Sequence, residues 1–423
     1  MKIDTLRVED ICDFIGGSQP AKSEFIDEPK AGYVRLIQTR DYKTDSFSTY
    51  IPENSTRKFC DENDIMIGRY GPPVFQICRG LKGAYNVALL KAKPKAGVDR
   101  EFLYYFLKQD SVFQYVDKLS ARTGGQTGVD LVSLNKYPVR IPNDTTDQRG
   151  LVASLVAIDK KIELNNRINS ELEAMAKTLY DYWFVQFDFP DENGKPYKAS
   201  GGKMVYNHTL KREIPVGWSD GTLDNLGQIV GGSTPSTADK NNFSEQGSAW
   251  ITPNDLSGNI GNKFISKGAM GVTAEGIKSA SLKKYPAGTV LLSSRAPIGY
   301  MAIARNALTT NQGFKSFIPS KGYPTEFVYF TVKNSLKAII QYASGSTFKE
   351  VSGTVIKTVK LALPPNELVE EFRAKVEDLF KRQDTLEQEN EQLIALRDWL
   401  LPMLMNGQVT VKPSTEPQED QHG

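Results

Sequence analysis

Two stretches of the chain place apolar residues at alternating steps of four and three, which is the spacing of a coiled-coil seam. The later seam consists of Phe372, Val376, Leu379, Leu386, Asn390, Leu393 and Leu400. The earlier seam consists of Ile158, Asn165, Ile168, Leu172, Met175 and Leu179. Charged residues cover the other faces of each stretch, so each predicted helix needs a partner for its apolar stripe.

We predict that these two helices pair with each other in an antiparallel coiled coil, because the chain between them is long enough to return. Asn165 and Asn390 interrupt the apolar seam and are predicted to fix its register. The alternative is that each helix packs on its own globular region.

A region of short strands and loops precedes each helix, and the two regions share a motif. Gly16-Gly17-Ser18-Gln19-Pro20 returns as Gly231-Gly232-Ser233-Thr234-Pro235. The run Phe102–Val116 predicts a helix in the first region, and Lys136–Pro142 predicts its last strand. Self-similarity over such a long period indicates two copies of one fold. Strands and helices do not alternate regularly, so the fold class is predicted to be α+β.

These patterns divide the chain into six segments. They are a first globular domain (1–147), a central helix (148–187), an exposed linker (188–212), a second globular domain (213–366), a C-terminal helix (367–407) and a polar tail (408–423).

Length and composition fit this division. The chain has 423 residues, of which 39% are hydrophobic, and this suits two soluble domains with connecting helices. No apolar run approaches the roughly 20 residues of a membrane helix, and the first residues lack the apolar stretch of a signal peptide. We expect a cytoplasmic protein without a membrane partner.

The sequence offers little material for catalysis. Cys12, Cys60 and Cys78 are scattered without metal-ligand spacing, and the chain has 2 histidines. The Asn/Asp-Pro-Pro-Tyr/Phe turn of an amino-methyltransferase and the phosphate-binding loop of an ATPase are both missing. The net charge of +2 does not by itself indicate a nucleic-acid partner, although a balanced total can conceal a basic face. We expect no catalytic residue, no metal and no cofactor bound by this chain.

The order of these motifs resembles the DNA-specificity subunits of type I restriction-modification systems. The resemblance rests on the two Gly-Gly-Ser motifs and on three further stretches, namely Ile214-Pro215-Val216-Gly217-Trp218, Leu179-Tyr180-Asp181-Tyr182-Trp183-Phe184 and Leu400-Leu401-Pro402-Met403-Leu404-Met405-Asn406-Gly407. It covers nearly the whole chain. The first domain departs from the pattern, because it has no counterpart of Ile214–Trp218.

The resemblance implies a subunit without enzyme activity that binds double-stranded DNA. Each globular domain would be a target recognition domain that reads one half of a bipartite sequence, and the helices would dock two methyltransferase subunits. Restriction subunits would join the assembly, and S-adenosylmethionine, ATP and Mg²⁺ would be used by the partners. Two alternatives are the specificity part of a type IIB-like system and a two-lobed scaffold that binds only protein.

Base edges are read by donor and acceptor side chains on loops that a scaffold holds in place. The candidates in the first domain are Gln38, Thr39, Arg40, Arg69, Tyr70, Arg122, Thr123, Gln126 and Thr127. The candidates in the second domain are Thr252, Asn254, Ser294, Arg295, Asn311, Gln312, Ser344, Ser346, Thr347 and Lys349. For each of them the alternative is an ordinary solvated turn.

Overall fold

The computed structural model describes residues 2–71, 74–120, 128–295, 297–343 and 350–409. It contains two compact units. Unit 1 consists of Met1–Lys161 and Gln392–Gly423, and unit 2 consists of Ile162–Glu391. Both boundaries fall inside long helices, so each unit contains one globular domain together with part of each helix.

The strands are short and form separate small sheets. In unit 1 they are β1 Ile3–Arg7, β2 Cys12–Gly16, β3 Tyr33–Ile37, β4 Tyr50–Pro52, β5 Phe59–Cys60, β6 Ile65–Gly68, β7 Ile77–Cys78, β8 Gly83–Tyr85, β9 Leu89–Pro94 and β10 Pro138–Pro142. In unit 2 they are β11 Met204–Asn207, β12 Arg212–Pro215, β13 Ser219–Thr222, β14 Gly227–Gly231, β15 Phe243–Ser244, β16 Ser248–Ile251, β17 Phe264–Ile265, β18 Met270–Val272, β19 Val290–Ser294, β20 Ile298–Ala304, β21 Thr309–Thr310, β22 Lys315–Pro319 and β23 Lys360–Leu363.

Two of the helices are much longer than the rest. The α-helices are α1 Val8–Ile11, α2 Arg100–Leu107, α3 Asp110–Ser120, α4 Leu131–Asn135, α5 Thr145–Tyr180, α6 Pro253–Gly258, α7 Ala274–Ser279, α8 Thr325–Gln341, α9 Gly353–Lys357 and α10 Asn366–Met405. A π-helical turn, Asp181–Val185, continues α5.

The sheets repeat between the units. The order β2-β9-β6-β7 in unit 1 corresponds to β14-β22-β19-β20 in unit 2, where β17 adds a fifth strand. The pair β3 and β8 runs parallel, as does the pair β16 and β21. The strand that enters each domain pairs antiparallel with its last strand, β1 with β10 and β13 with β23. The repeated strand order confirms the α+β fold built from two similar domains.

Each domain packs its core against both long helices. In unit 1 the core joins Phe102 and Tyr105 of α2 to Leu155 of α5 and to Leu401 and Leu404 of α10. In unit 2 the core joins α8 to Tyr180 of α5, to Trp183 and Phe184 of the π-helical turn, and to Phe372 and Val376 at the start of α10. Each helix end is therefore covered by the domain of its own unit.

The helices run antiparallel within each unit. In unit 1, Arg397 Nη1 donates to Asp159 Oδ1 at 2.9 Å. In unit 2, Asn165 Nδ2 donates to Asn390 Oδ1 at 2.9 Å, and Gln383 Nε2 donates to the Asn169 carbonyl oxygen at 3.1 Å. The partner number falls as the residue number rises, which confirms the antiparallel coiled coil.

On α10 the predicted seam residues Phe372, Val376, Leu386 and Asn390 are buried and Leu379, Leu393 and Leu400 are half-buried. On α5 the buried positions shift by one after Asn165, to Asn169 and Ala176, while Met175 is 59% exposed. The assignment of Met175 to the seam is therefore corrected, while Ile168 is half-buried, as Leu172 and Leu179 are. The pattern favoured the larger apolar neighbours, but the close helix approach takes a small residue and an asparagine.

Two further expectations differ from the structure. The run Phe102–Val116 is broken between α2 and α3, where Gln109 Nε2 donates to the Phe106 carbonyl oxygen at 3.2 Å. The linker 188–212 is not an exposed segment without structure. The ring of Phe189 stacks on that of Trp218 with 5.7 Å between the ring centres, and β11 pairs with β12. Residues 410–423 of the predicted tail lie outside the described residues.

Candidate nucleic-acid interface

Four turns meet at one edge of the domain in unit 1. We call this set loop edge 1, and it consists of Gly17–Ser18, Gln38–Thr39, Gly68–Tyr70 and Asn86–Ala88. The Asn86 amide donates to the Ile37 carbonyl oxygen at 3.1 Å, and the Arg69 amide donates to Ala88 at 2.8 Å. The Ser18 amide donates to Tyr85 at 3.2 Å. Backbone bonds therefore hold the candidates Gln38, Thr39, Arg69 and Tyr70 together.

Unit 2 builds the same arrangement, which we call loop edge 2. It consists of Gly232–Thr234, Thr252–Pro253, Ser294–Arg295 and Asn311–Gly313. The Asn311 amide donates to Ile251 at 3.0 Å, the Ser294 amide to Gly313 at 2.8 Å and the Ser233 amide to Thr310 at 3.0 Å. Each of these bonds has its counterpart in loop edge 1.

The second glycine of each Gly-Gly-Ser motif explains why the motif is repeated. A Cβ atom at Gly17 would lie 2.0 Å from the Asn86 carbonyl oxygen. A Cβ atom at Gly232 would lie 2.0 Å from the carbonyl oxygen of Thr310. Only glycine lets these two turns come so close, so the motif builds the loop edge rather than contacting a ligand.

Several predicted candidates also serve the fold. Thr252 Oγ1 donates to Asp255 Oδ2 at 2.6 Å and caps α6, while Asn311 Oδ1 accepts the Gly313 amide at 2.8 Å. In unit 1 the Gln38 backbone amide donates to Asp41 Oδ2 at 2.7 Å, as the Thr252 backbone amide donates to Asp255 Oδ2 at 2.7 Å in unit 2. These groups shape the turns from which their neighbours project.

Exposure separates the remaining candidates. Arg40, Asn254 and Gln312 are exposed, and Arg69 is half-buried with its guanidinium 5.0 Å from the Tyr70 ring centre. Ser294 is only 1% exposed, so its assignment as a DNA contact is corrected. It is the last residue of β19, and all five residues of that strand are buried.

The candidates Arg122, Thr123, Gln126, Thr127, Ser344, Ser346, Thr347 and Lys349 lie outside the described residues. The residues that follow these segments are joined to the loop edges. Gly128 bridges to Tyr70 in unit 1, and Glu350 bridges to Arg295 in unit 2. In both units the first described residue after these segments therefore lies beside the loop edge.

The sequence pattern did not predict the buried polar groups that join the second domain to the helices by hydrogen bonds and ion pairs. Lys263 is 4% exposed, and its Nζ lies 2.7 Å from Glu173 Oε2 of α5 and 2.6 Å from Gln383 Oε1 of α10. Burial lowers the pKa of Lys263 to about 8, although Glu173 opposes this change. Burial likewise raises the pKa of Glu387 to about 7, even though its carboxylate accepts the Lys263 and Phe264 amides.

An arginine at matching places in the two domains contacts the helix that follows. Arg305 comes directly after β20, and its side chain reaches Asp384 at 2.5 Å and Glu391 at 2.9 Å on α10. Arg79 comes directly after β7, and its Nη2 lies 3.7 Å from Asp159 of α5. Burial alone would raise the pKa of Asp159, but hydrogen bonds from Tyr105 and Arg397 bring it below its usual value. In the sequence, these contacts could have been found from the arginine that directly follows a strand end in both domains, Ile-Cys in β7 and Ile-Ala in β20.

The described residues offer little reactive chemistry. They contain no group of three or more histidine, cysteine, aspartate or glutamate residues placed to hold a metal ion. All three cysteines are buried, and burial raises the pKa of Cys12 and Cys78 to about 12 and that of Cys60 to about 11. Across the described helices, none is both long and apolar enough to cross a membrane.

A family model decides the identity of the fold. The model of the type I restriction modification DNA specificity domain matches residues 2–174 and 215–395. The chain belongs to this family. The two matched segments confirm the internal repeat, and each contains one loop edge. The chain therefore carries two copies of the DNA specificity domain of type I restriction-modification systems.

Individual relatives agree with the family. The chain is 42% identical over 159 residues to the specificity subunit of the type I restriction enzyme MjaIX from Methanocaldococcus jannaschii. The aligned stretch covers 37% of this chain and 36% of that protein. It is 26% identical over 359 residues to the HindI specificity subunit from Haemophilus influenzae, covering 73% of this chain and 77% of that protein. The chain thus spans about a third of the length of the first relative and about three quarters of the second.

A solved structure shares the fold. The crystal structure of a type I restriction-modification S subunit from M. genitalium matches with a TM-score of 0.53, over 96% of each chain. The identity is 14%, so the likeness concerns the fold alone.

Proposed function

We propose that this specificity protein reads a bipartite duplex DNA sequence, with loop edge 1 on one half and loop edge 2 on the other. The observation that carries the proposal is the repetition of the loop edge inside each matched DNA specificity domain. A rigid scaffold with donor-rich loops is the arrangement that reads base edges in the grooves.

The accessible residues in and beside the two edges have suitable chemistry. Arg40 and Arg69 can bind guanine edges or phosphates, and Asn254 and Gln312 can pair with adenine. Among the exposed candidates, the one beside loop edge 1 is therefore cationic, whereas the two in or beside loop edge 2 are amides. This difference favours different half-site sequences.

The proposal extends to partners. Two methyltransferase subunits would dock on the helices, and restriction subunits would complete the assembly. S-adenosylmethionine, ATP and Mg²⁺ would be bound by those subunits, while this chain would transfer no methyl group itself. The proposal draws support from the relatives, which are named as subunits of type I restriction enzymes.

Salt-dependent DNA binding tests the reader role. Binding of the full chain with its modification partner to duplex DNA would be measured by fluorescence anisotropy at several salt concentrations. Substituting Arg69→Gln should weaken binding, and it should lower the slope of log K against log salt by about one if Arg69 contacts a phosphate. Arg100→Gln, at an exposed position on α2, is the matched control and should change neither quantity.

If the wild-type assembly fails to bind duplex DNA at any salt concentration, the reader role is wrong, and a scaffold that binds only protein becomes the better description. Methylation of DNA by the purified chain alone would contradict the proposal that only the partner subunits transfer methyl groups.

A further inference from the structure

In unit 1 a lysine lies where the strand β5 approaches loop edge 1. Cys60 of β5 pairs antiparallel with Gly83 of β8. Two residues before this cysteine, the Lys58 carbonyl oxygen accepts the amide of Tyr85, the last residue of β8, at 3.1 Å. Asn86 of loop edge 1 follows directly. Because β8 leads into loop edge 1, Lys58 lies at the end of the strand pair that is next to this edge.

Unit 2 places a lysine at the same point. Tyr285 forms an antiparallel bridge with Leu308. Leu308 lies three residues before Asn311 of loop edge 2, and its counterpart in β8 lies three residues before the asparagine of loop edge 1. Tyr285 therefore corresponds to the bridged cysteine of β5. Lys283 precedes Tyr285 by two residues and thus corresponds to Lys58.

The turn that follows each bridged residue supports this correspondence. In unit 1 the Asp64 amide donates to the Asp61 carbonyl oxygen at 3.1 Å, and in unit 2 the Thr289 amide donates to that of Pro286 at 3.3 Å. Each turn begins directly after the bridged cysteine or tyrosine and leads into β6 or β19, which hold the same position in the two sheets. The two lysines are therefore equivalent positions of the repeated fold.

Hydrogen bonds join each lysine-bearing segment to the Gly-Gly-Ser turn of its own unit. Thr56 Oγ1 accepts the Lys58 backbone amide at 3.0 Å and lies 2.5 Å from Oγ of Ser18, a residue of loop edge 1. In unit 2 the Tyr285 hydroxyl donates to the carbonyl oxygen of Gly231, which directly precedes loop edge 2. The backbone that carries each lysine is therefore fixed beside its loop edge.

The charges of both lysines are unbalanced. Lys283 is exposed and Lys58 is half-buried. Across the described parts of the chain, neither ammonium group makes a hydrogen bond or an ion pair. Other lysines of these domains do have carboxylate neighbours, since Lys91 Nζ lies 3.0 Å from Asp64 Oδ2 and Lys315 Nζ lies 3.9 Å from Glu350 Oε1.

A second cation stands next to each lysine in the sequence. Arg57 precedes Lys58, and Lys284 follows Lys283. Both neighbours are exposed, and within the described residues neither side chain has a hydrogen bond or an ion pair. Each loop edge is therefore flanked by two positive charges that no carboxylate neutralises.

A DNA phosphate is the ligand that suits this arrangement. The chain has a net charge of only +2, so attraction to a polyanion requires cations gathered at one place. Loop edge 2 needs them in particular, because Arg295 Nη1 lies 3.9 Å from Glu350 Oε2. A lysine ammonium binds phosphate as a point charge on a flexible stem. Such contacts fix the position of a protein on the duplex without reading its sequence.

We propose that Lys58 and Lys283 are phosphate clamps, each of which binds a backbone phosphate beside one half-site and sets the position of its loop edge along the groove. Arg57 and Lys284 extend the same cationic surface. This inference rests on the proposed DNA-reading function. The loop edges then select the sequence, while the clamps supply affinity that is independent of sequence.

Salt-dependent binding tests the clamps with the full chain and its modification partner. The variants are Lys58→Gln and Lys283→Gln. The matched controls are Lys82→Gln and Lys321→Gln, because these two exposed lysines lie before β8 and beyond β22, at strand ends away from the loop edges. Fluorescence anisotropy would compare a duplex that carries the methylated sequence with one in which both half-sites are changed.

Each clamp variant should weaken binding to both duplexes by the same factor. It should also lower the slope of log K against log salt by about one, the size of one phosphate contact. The affinity lost between about 50 and 200 mM salt should then be roughly threefold smaller than for the wild type. Lys58→Arg and Lys283→Arg should keep the wild-type slope, as should the two control variants.

Methylphosphonate substitution locates the contacts, because it removes the charge of one chosen phosphate. Neutral linkages would be placed one at a time through both half-sites and their flanks. In the wild type a linkage beside each half-site should weaken binding. Lys58→Gln should abolish this effect at one half-site only, and Lys283→Gln should abolish it at the other. Each result is a double-mutant cycle between one lysine and one phosphate.

Clamp variants with the salt slope and the methylphosphonate profile of the controls would overturn the proposal while leaving DNA reading intact. Weakening confined to the methylated sequence would make the lysines base readers and would also overturn it. If the wild-type assembly binds neither duplex at any salt concentration, the proposed function fails, and the clamps fail with it.

Discussion

Single glycines at matching places decide how closely the turns of each loop edge approach. Gly17 and Gly232 press against backbone carbonyl oxygens, as described above, whereas a Cβ atom at the preceding Gly16 would meet nothing within 4 Å. Neighbouring glycines of one motif therefore differ in what they do. The first is replaceable, and the second is required for packing.

We expect Gly17→Ala to lower the free energy of unfolding of the first domain by roughly 1–3 kcal/mol, the usual range for an overpacked site. Gly16→Ala should change it by less than about 0.5 kcal/mol, as surface substitutions commonly do. Urea unfolding followed by circular dichroism would measure both. Equal effects of the two substitutions would contradict the packing role of Gly17.

Residue-level prediction from the sequence succeeded where a pattern had one physical cause. The buried seam positions Phe372, Val376 and Leu386 of α10 follow from its apolar spacing, and the Gly-Gly-Ser repeat located both loop edges. The pattern failed where two neighbours could satisfy it, as at Met175 and Ala176, because spacing alone does not show how closely the helices approach. It also failed at Ser294, since a polar side chain in a turn-like string can face the core of a strand.

At the level of elements, one buried lysine connects the second domain to both long helices. Lys263 directly precedes β17, and its ammonium group lies between Glu173 of α5 and Gln383 of α10, with the Phe380 ring centre at 3.5 Å. No spacing in the sequence indicated this contact, because Lys263, Glu173 and Gln383 come from three distant segments. Contacts of this kind depend on the assembled fold.

The lowered pKa of Lys263 predicts a pH dependence of stability. The pKa is about 8 in the folded chain and about 10.4 in an unfolded one. Between pH 8 and 10.4 this lysine is mostly protonated in the unfolded chain and mostly neutral in the folded one. The free energy of unfolding contributed by this site should therefore rise as the pH increases from 8 to 10.4. The full change should be about 3 kcal/mol. The window of Glu387, with its pKa raised to about 7, lies below this range.

Urea unfolding of the wild type and of Lys263→Met between pH 7 and 10.5 would measure this contribution as the difference between the two chains. Lys278→Met, which removes an exposed lysine of α7, controls for the loss of a surface charge. Parallel pH profiles for the wild type and Lys263→Met would show that the buried lysine is not linked to stability in this way.

On the scale of the whole molecule, two copies of one domain are each completed by parts of both long helices. The first core includes Val152 and Leu155 of α5, and the second includes Phe372 and Val376 of α10. Either globular domain can therefore be exchanged only for a domain whose helix-facing surface fits these residues.

We expect that replacing residues 6–144 with the matching domain of a related specificity protein changes one half of the methylated sequence and leaves the other half unaltered. Restoring the donor's residues at positions 152 and 155 should recover the stability of a chimera that folds poorly. Methylation sequencing of cells that express the chimera with its partners would read the outcome. Simultaneous change of both halves would show that the two domains read the DNA jointly.

The place of Leu401, Leu404 and Met405 in the first core has a consequence for biosynthesis. The ribosome makes the first domain early, but it must then add all of Ile162–Glu391 before these three side chains emerge. At about 5–20 residues per second, that interval lasts roughly 10 to 50 s. Throughout it the nascent first domain exposes an apolar cleft where the end of α10 will later lie. A chaperone that shields apolar surface on nascent chains should therefore raise the yield of this protein, and a stop codon before Leu401 should leave the first domain prone to aggregation although its own sequence is intact.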